Sequence, residues 1–400
     1  MISVEQAIET MLARVSPTGA ETVDLLQAVG RVLAEDVRAA EDLPTFARSG
    51  VDGYAIRAVD AAAPGARLRL VGEYRAGSRP GRPLDPGEAA RVMTGAPLPP
   101  GADAVAWQED ASLEGEWVTL AKPVAPGANV GGVGEDLRRG VLAVAKGSRL
   151  RPAEIGLLAA VGATRVKVYR RPRIAILSTG DELVPPEQRP EPGQVRNSNE
   201  YALAAALLQL GLEPVRLGVR PDDPEAIAEA LARAHGADLM LTTGGASHGS
   251  YDVAAAAFEQ LGAERLFWHV AMKPGTPFLA AHWDGRLVIG LSGNPAAAIT
   301  TFDILVRPVL AALTGRVGWR PIVAKAILDQ DVVKPSKLRR YMRGTRYERD
   351  GELRVRTDMT QRSGVLSSMT QANCYVVVPE GSGPLAAGQH VLTISPDCAG

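Results

Sequence analysis

The segment from Arg173 to Pro295 alternates short apolar runs with helical patterns, and this alternation limits the fold more than any other feature of the chain. Strands are predicted at Ile174–Leu177, Pro214–Gly218, Leu239–Thr242, Phe278–Ala281 and Leu287–Leu291. Helices are predicted at Asn199–Leu210 and after the N-cap Asp223. Strands that alternate with helices indicate a largely parallel, doubly wound sheet with helices on both faces. We therefore expect a ligand at the carboxyl ends of the strands.

Glycine-containing loops lie at these predicted strand ends. Their sequences are Ser178-Thr-Gly-Asp-Glu-Leu183, Thr242-Thr-Gly-Gly-Ala-Ser-His-Gly-Ser-Tyr-Asp252, Lys273-Pro-Gly275 and Ser292-Gly-Asn-Pro295. Open backbone N–H groups and helix N-termini favour phosphates, and carboxylates favour a metal ion. Each loop alone also has a plain structural explanation as a turn or a helix start. Together they indicate an enzyme that acts on an anionic ligand.

The acidic and basic residues of these loops have specific candidate roles. Asp181 and Glu182 form a pair of carboxylates that suits Mg²⁺. Asp252 opens a helix beside a phosphate-type loop, so it is either a metal ligand or an N-cap contributing about 1 kcal/mol. Lys273 is a candidate for neutralising an oxyanion. No Walker lysine motif and no G-x-G-x-x-G fingerprint occur, which disfavours an ATPase or a dinucleotide dehydrogenase.

The rest of the chain predicts further domains, because 400 residues exceed one ordinary core. A capping box at Ser3 predicts an N-terminal helix that ends before Pro17, and a second helix is predicted around Thr22–Leu33. Residues 61–147 carry short β-type runs between Pro/Gly clusters, which indicates a small, irregular β-rich domain. From Arg320 onward, spaced apolar runs predict a small β-barrel or sandwich.

Composition excludes several classes of protein. The net charge of −1 leaves no basic surplus for binding nucleic acid or an acidic membrane. Only Cys374 and Cys398 occur, so neither a disulfide framework nor a structural zinc site is indicated, and a reducing cytoplasm is expected. No uninterrupted apolar run reaches the roughly 18 residues that predict a membrane span.

The motifs occur in one order along nearly the whole chain, and that set resembles the molybdopterin molybdenumtransferase (MoeA) family, whose relatives include the E domain of gephyrin. The resemblance is carried by Pro44-Thr-Phe46, Val51-Asp-Gly-Tyr-Ala55, Arg91-Val-Met-Thr-Gly-Ala-Pro97, Gly134-Glu-Asp136, Ser178–Leu183, Thr243-Gly-Gly245 through Asp252, Lys273-Pro-Gly275, Gly293-Asn-Pro295 and Leu366-Ser-Ser-Met369.

The resemblance implies an elongated, four-domain homodimer in which the doubly wound domain is of the molybdopterin-binding type. It predicts a discontinuous, mixed linker domain at 1–45 and 130–170 and a β-rich cleft domain at 46–129. The α/β domain would span 171–318 and a C-terminal β-barrel 319–400. The implied reaction cleaves adenylylated molybdopterin at its phosphoanhydride with Mg²⁺, inserts molybdate into the dithiolene and releases AMP.

The resemblance also assigns roles to individual residues. It implies that the catalytic residues are Asp252, Asp52, Glu182 and Lys273, and that the divalent metal is held by Asp181 and Asp252. The residues implied to contact the cofactor or molybdate are Thr94, Asp136, Thr179, Gly180, Gly244, Gly245, Ser247, Asn294, Pro295, Arg343, Ser363 and Ser368. Asp52, Thr94 and Asp136 would line the cleft from the other subunit. Candidate partners are a molybdopterin adenylyltransferase and molybdoenzymes; neither nucleic acid nor a membrane is expected.

The chain departs from the family pattern at several positions. Relatives commonly have a second lysine where this chain has Thr276, Pro where it has Ser292, Ser where it has Ala297, and Asp where it has Asn197. Because a charge-assisted bond contributes about 1.5–3 kcal/mol against about 1 for a neutral one, the loss of a lysine weakens an oxyanion site. The alternatives are tungstate insertion, a paralogue with altered chemistry, a related adenylyltransferase or hydrolase, and a non-catalytic molybdopterin-binding scaffold.

Overall fold

The computed structural model describes residues 1–79, 81–245 and 253–395. The chain forms two compact units. The first comprises Met1–Glu35, Lys146–Pro152 and Arg165–Gly400, and the second comprises Asp36–Ala145 and Ala153–Thr164. The predicted linker domain, residues 1–45 and 130–170, has residues in both units, and the boundaries of the four-domain division stay a prediction.

The helices of the described residues begin and end at the bounds that follow. They are α1 Val4–Leu12, α2 Pro152–Ala160, α3 Asn199–Gln209, α4 Pro224–Arg233, α5 Val253–Gln260, α6 Pro295–Thr301, α7 Arg307–Leu313 and α8 Ser367–Gln371. A π-helical segment, Phe302–Val306, joins α6 to α7. The predicted capping box is confirmed, because the Ser3 hydroxyl accepts from the Gln6 N–H and the Gln6 side chain accepts from the Ser3 N–H.

In sequence, the first twelve strands follow α1 and precede the strands of the doubly wound sheet. They are β1 Ala20–Asp24, β2 Val37–Arg38, β3 Arg48–Ser49, β4 Gly53–Ile56, β5 Arg67–Tyr74, β6 Glu88–Val92, β7 Ala104–Trp107, β8 Ala111–Glu114, β9 Trp117–Leu120, β10 Val130–Gly131, β11 Leu142–Val144 and β12 Arg165–Tyr169. The helix predicted at Thr22–Leu33 was wrong, apart from a short 3-10 helix at Leu25–Ala28. Thr22 and Val23 lie in β1, which pairs antiparallel with β12, so β-branched side chains joined a ladder instead.

The second unit is the β-rich one, as predicted. Its main sheet has the strand order β7-β4-β6-β5-β9-β8, and two shorter pairs join β2 to β11 and β3 to β10. Ile56, Leu68 and Val118 are buried on one core, with alanines filling the space between them. Small side chains let this irregular sheet pack although the chain has few aromatic residues.

The α/β part of the first unit contains the strands that position the candidate site. They are β13 Arg173–Thr179, β14 Leu183–Val184, β15 Val195–Arg196, β16 Glu213–Arg220, β17 Leu239–Thr243, β18 Glu264–Trp268, β19 Met272–Lys273, β20 Leu279–Trp283 and β21 Arg286–Leu291. The main sheet has the order β16-β13-β17-β21-β20-β18, in which the first four strands are parallel, β20 is antiparallel to β21, and β18 is antiparallel to β20. The doubly wound fold is confirmed.

Alternate residues of the central strands face two separate cores. Ile174 and Ile176 pack in the core that includes α1, α3 and α7, whereas Ala175 and Leu177 pack in the core that includes α4 and α5. Both faces are therefore covered, which explains why these strands are near-continuous apolar runs.

The C-terminal strands close into a barrel, as predicted. They are β22 Ile322–Leu328, β23 Arg339–Arg349, β24 Glu352–Arg356, β25 Cys374–Val378 and β26 His390–Ser395. The order β23-β24-β22-β26-β25 returns to β23 through an additional pairing, so the ring of five strands is complete. Met342, Val355 and Val376 belong to its own apolar core.

The continuous helical segment Pro295–Leu313 has the length and apolar composition of a membrane span, although the sequence predicted none. However, 83% of its apolar window is buried within the protein, as expected for a core helix. Asp303 within it bonds Arg307 at 2.7 Å and accepts the Tyr375 hydroxyl at 2.6 Å, so its charge is compensated inside the fold.

Candidate active site

A cavity of about 760 Å³ opens where three parallel strands, β13, β17 and β21, end side by side. Loops that are distant in sequence meet there because the strands are neighbours in the sheet. The polar and glycine residues that line it include Ser178, Thr179, Glu182, Asn197, Asn199, Asp222, Thr243, Gly244, Gly245, Ser292, Asn294 and Gly364. Thr179, Glu182, Gly244, Gly245, Asn294 and Pro295, all predicted from sequence, therefore share one cavity. Gly180 and Asp181 follow Thr179 directly.

Gly244 is required by a close approach of two backbones. Its φ is +104°, and a Cβ there would lie 2.1 Å from the backbone oxygen of Thr179. Any side chain would push the ends of β13 and β17 apart. The floor of the cavity is therefore bare backbone, the surface that a phosphate group can approach closely.

Asn199, which the sequence reasoning missed, ties two of the loops together. Its side-chain amide donates to the Thr243 hydroxyl at 2.7 Å and to the Gly293 carbonyl at 2.8 Å. Asn199 lies in the first turn of α3. The end of β17 and the loop after β21 are thus held together by a residue from a third element.

The sequence reasoning also missed Asp222, which lies beside the predicted acidic pair Asp181 and Glu182. The Asp222 N–H donates to Asp181 Oδ1 at 3.3 Å. Asp222 is exposed at the cavity, yet partial burial raises the pKa of its carboxyl, and the nearby charges of Glu182 and Asp181 raise that pKa further. The Thr179 hydroxyl opposes this shift. A divalent cation would relieve the repulsion among these carboxylates.

A signal for Asp222 was present in the sequence. Of the adjacent Asp222 and Asp223, only the second caps α4, since its carboxylate accepts the Glu225 N–H at 3.0 Å. The first aspartate follows β16, whose carboxyl end lies beside that of β13. Asp222 is therefore not needed as a cap.

The start of α6 meets a loop of the barrel. Asn294 is the N-cap residue but its side chain makes no capping bond, and Pro295 occupies the first turn. The Ala296 N–H donates to the Ser363 carbonyl at 3.0 Å. Gly364, the next residue, lines the cavity beside Asn294. The barrel thus contributes directly to the edge of the α/β site.

Lys273 lies in a second cavity, also of about 760 Å³, together with Ser363. The strand β19 that ends in Lys273 pairs in parallel with β23 of the barrel, and Lys273 is opposite Arg340. Lys334, Lys337 and Arg362 line the same cavity. Lys273 is therefore part of a cluster of cations.

Arg343 is fully buried, and only one of its three guanidinium nitrogens has hydrogen-bond partners from the side chain in the described residues. One terminal nitrogen donates to the carbonyls of Thr360 and Arg362, at 2.9 and 3.1 Å. Nε and the other terminal nitrogen have no hydrogen-bond partner in the described residues. Burial lowers the pKa of Arg343, although an arginine remains charged in proteins. A buried guanidinium with spare donors fits an oxyanion ligand.

The two candidate serines of the barrel are in different surroundings. Ser363 lines the cavity of Lys273. Ser368 is buried and its hydroxyl donates to the Val365 carbonyl at 2.6 Å, within the turn that leads into α8. Ser363 is thus the better placed of the two for an oxyanion.

Three predicted residues belong to the other unit. The N–H and the hydroxyl of Thr94 both donate to Asp52 Oδ1 at 2.7 Å. These two bonds, with a smaller contribution from the charge of Arg91, lower the pKa of Asp52. Thr94 borders a cavity of about 480 Å³, which Glu135 also lines. Asp136, next to Glu135, is exposed. Ser247 and Asp252 lie outside the described residues.

Comparisons with known proteins cover almost the whole chain. Family models described as the MoeA N-terminal region (domain I and II), a probable molybdopterin binding domain and the MoeA C-terminal region (domain IV) match residues 2–162, 175–312 and 325–395. A molybdopterin molybdenumtransferase of Nostoc sp. is 37% identical over 94% of this chain and 88% of its own length. One from Haemophilus influenzae is 34% identical over 99% and 98%.

The chain belongs to the molybdopterin molybdenumtransferase family. A solved structure described as a molybdopterin biosynthesis MoeA protein from Pyrococcus horikoshii agrees in fold over the full length of both chains. Its TM-score is 0.84 at 34% identity. The resemblance inferred from the motifs is confirmed.

Two departures from the molybdenumtransferase pattern have local explanations. The Thr276 hydroxyl donates to the Met272 carbonyl at 2.6 Å, so it braces the turn that carries Lys273 instead of adding a charge. The Ser292 hydroxyl accepts the Asn294 N–H at 3.3 Å. For Ala297, which is buried in α6, nothing in the structure explains the choice of residue.

The buried carboxylate of Glu200 explains why this chain has asparagine at position 197. Its amide donates to Glu200 Oε2 at 2.8 Å, and its Oδ1 accepts the Ser178 hydroxyl at 3.0 Å. Glu200 is 2% exposed and also bonds Arg216 at 3.1 Å. An aspartate at position 197 would place two carboxylates in buried contact. The neutral amide of asparagine avoids this repulsion and can donate to Glu200.

Proposed function

We propose that this protein inserts molybdate into adenylylated molybdopterin during molybdenum cofactor biosynthesis, with cleavage of the phosphoanhydride and release of AMP. The observation that carries the proposal is one cavity that combines the bare Gly244–Gly245 backbone, the start of α6 and a group of carboxylates. A second cavity with Lys273 supplies positive charge for an oxyanion. Tetrahedral oxyanions and phosphate esters both need such donors.

The residues of the first cavity would have separate roles in binding and in holding the loops in place. The Gly244 N–H already donates to the Leu291 carbonyl at 3.3 Å, so Gly244 would let a phosphate approach closely and the backbone of Gly245 would hold its oxygens. Asn199 would keep the end of β17 and the loop after β21 at a fixed separation. Fixed donors stabilise developing charge without reorganising during the reaction. Asp52, ionised beside Thr94, stays a candidate for orienting the substrate.

The donor chemistry of the acidic group fits a divalent ion such as Mg²⁺. Mg²⁺ prefers oxygen ligands and commonly binds through one or two carboxylates and several waters. Asp181 and Asp252 would hold it, with the carboxylates of Glu182 and Asp222 nearby. Within residues 1–79, 81–245 and 253–395, no three acidic, His or Cys side chains are grouped so that they could hold an ion by themselves, so waters and phosphate oxygens would complete its coordination. The bound ion would neutralise charge on the phosphoanhydride.

We also propose that the protein acts as a homodimer in the cytoplasm. Family membership supports this, as does the implied placement of Asp52, Thr94 and Asp136 in a cleft with the partner subunit. Light scattering coupled to size exclusion tests the dimer. A monomer at micromolar concentration would contradict it.

The function is tested by incubating the protein with adenylylated molybdopterin and Mg²⁺, with and without molybdate. AMP is measured by chromatography, and metal insertion by activation of a cofactor-free molybdoenzyme. Asp222→Asn is compared with Asp223→Asn, a matched control that keeps the helix cap. We expect the control to release AMP and Asp222→Asn to be impaired. A wild-type protein that binds the substrate without releasing AMP would instead be a molybdopterin-binding scaffold. Replacing molybdate with tungstate tests the altered-paralogue alternative.

A further inference from the structure

Trp107 is an exposed aromatic residue beside Asp52, and the proposed reaction has so far given it no role. It is the last residue of β7, and its exposed fraction is 47%. We propose that the Trp107 indole is a platform on which the planar, amino-substituted ring of the pterin stacks, an inference that rests on the proposed function for the identity of the ring. Trp107 and Asp52 both belong to the second unit.

Trp107 and Asp52 lie at the same end of two neighbouring strands. The antiparallel pair β4 and β7 places Gly53, the residue after Asp52, directly opposite Trp107. The Gln108 N–H donates to the Asp52 carbonyl at 3.1 Å, which continues the pairing beyond the end of β7. Because neighbouring strands are about 5 Å apart, a bicyclic ring is large enough to contact the indole and the Asp52 carboxylate together.

The position opposite Trp107 has to be glycine. A Cβ on Gly53 would lie 1.9 Å from the backbone oxygen of Ala106. Since Gly53 has no side chain, the cross-strand neighbour on β4 does not cover the indole. Val92, the β6 residue that pairs with Gly53 on its other side, is fully buried. The strand beside the indole is therefore bare backbone, which a flat ring can approach closely.

Trp107 has neither an aromatic ring nor a cation against its indole in the part of the chain that the structure describes. In three of the other four tryptophans, Trp117, Trp268 and Trp283, an arginine lies 4.9 to 6.0 Å from the ring centre. A heteroaromatic ring has a π-face that stacks on an exposed indole. The surface of Trp107 is thus open to the ring of a ligand.

The carboxylate of Asp52 indicates which ring is bound. Both bonds from Thr94 end at Oδ1, at 2.7 Å each, and no donor among the described residues reaches Oδ2. A carboxylate oxygen without a protein donor suits a ring edge that carries adjacent N–H groups. The pterin has such an edge, with its amino group beside a ring N–H, whereas the amino group of adenine lies beside acceptor nitrogens. The indole is therefore assigned to the pterin and not to the adenine.

The test is a titration of the full-length protein with molybdopterin, under anaerobic conditions and without Mg²⁺ or molybdate, followed by calorimetry and by indole fluorescence. Trp107→Ala and Trp107→Phe are compared with the wild type. Trp117→Ala is the matched control, because Trp117 is 41% exposed on the same sheet but has Arg67 over its ring and lies on β9, which does not adjoin β4. AMP is titrated in parallel as the source of an adenine ring, and thermal unfolding verifies that each variant is folded.

We expect the Kd for molybdopterin to rise about tenfold in Trp107→Ala, since a stacked ring is lost, and to change by less than about threefold in Trp107→Phe, which keeps an aromatic ring. Molybdopterin should quench indole fluorescence in the wild type and in Trp117→Ala, and most of this quenching should be absent in Trp107→Phe. The Kd for AMP should be the same in all four proteins.

Unchanged molybdopterin binding in Trp107→Ala would overturn the proposal, as would full quenching in Trp107→Phe. Weaker binding of AMP instead of molybdopterin would contradict the assignment to the pterin, and equal weakening of both ligands would reduce Trp107 to a structural residue. A wild type that binds molybdopterin as tightly as Trp107→Ala does would leave the proposed function standing, whereas a wild type that binds no molybdopterin would contradict both proposals.

Discussion

Asp222→Asn is predicted to stabilise the protein at neutral pH while impairing its reaction. Partial burial and the carboxylates of Glu182 and Asp181 raise the pKa of Asp222 in the folded state. A raised pKa means that ionised Asp222 costs folding free energy above its folded-state pKa. The cost disappears as pH falls through that value, because the carboxyl then takes up a proton. An amide removes the charge and keeps the shape.

The magnitude is small because Asp222 is exposed to solvent. Repulsion between exposed like charges is worth about 0.3–1 kcal/mol, which corresponds to a rise in Tm of about 1–3 °C for a chain of this size. The gain should be present at pH 7 and absent at a pH low enough to protonate Asp222. Mg²⁺ should raise the Tm of the wild type more than that of Asp222→Asn, since the ion relieves the same repulsion.

Thermal unfolding followed by fluorescence, between pH 4 and pH 8 with and without Mg²⁺, measures both effects. Asp223→Asn controls for a change of net charge nearby, because asparagine also caps a helix. An Asp222→Asn protein that is equally stable or less stable than the wild type at pH 7 would refute the argument from repulsion. An identical response of both proteins to Mg²⁺ would remove Asp222 from the metal site.

Further variants test other parts of the site. Thr276→Lys should lower the molybdate concentration for half-maximal insertion, and should cost about 1 kcal/mol of stability because the bond to the Met272 carbonyl is lost; unchanged molybdate dependence would move the oxyanion away from this turn. Asn197→Asp should lower the free energy of unfolding by about 1.5–3 kcal/mol, and adding Glu200→Gln should restore part of it, as a double-mutant cycle in urea would show. Asp52→Asn and Asp252→Ala homodimers should each be inactive, but mixing them should restore part of the AMP release if the cleft uses both subunits. No recovery after demonstrated subunit exchange would place the cleft within one chain.

The doubly wound sheet was predictable because its signals are local. The apolar runs and the cap at Asp223 each specify structure within a few residues, and each appears as expected. The failed helix at Thr22–Leu33 shows the limit of such signals. Residues of β1 pair with β12, more than 140 residues away, and that partner cannot be read from the helical pattern itself.

Site residues could be predicted where a glycine or a short motif requires a particular backbone conformation. They could not be predicted where one side chain connects elements that are distant in sequence. Gly244 must be glycine because Thr179 lies against it. Asn199 and Asp222, in contrast, look like ordinary residues at a helix start and in a loop. Their importance arises because α3 and the ends of β13, β16 and β17 converge in space. Only the tertiary structure shows such convergence.

The two cavities differ in the sign of their charge, and this difference has a chemical use. Carboxylates such as Glu182 and Asp222 line the first together with one cation, Arg196, whereas the charged residues described in the second, such as Lys273 and Arg340, are all cations. A divalent ion with a phosphoanhydride requires the acidic surroundings, whereas a free oxyanion would be repelled there. The segment Ser363–Gly364 contributes one residue to each cavity and bonds the first turn of α6. Under the proposed function, an oxyanion and an adenylylated substrate would therefore be held at the same time on adjoining surfaces, as the insertion of one into the other requires.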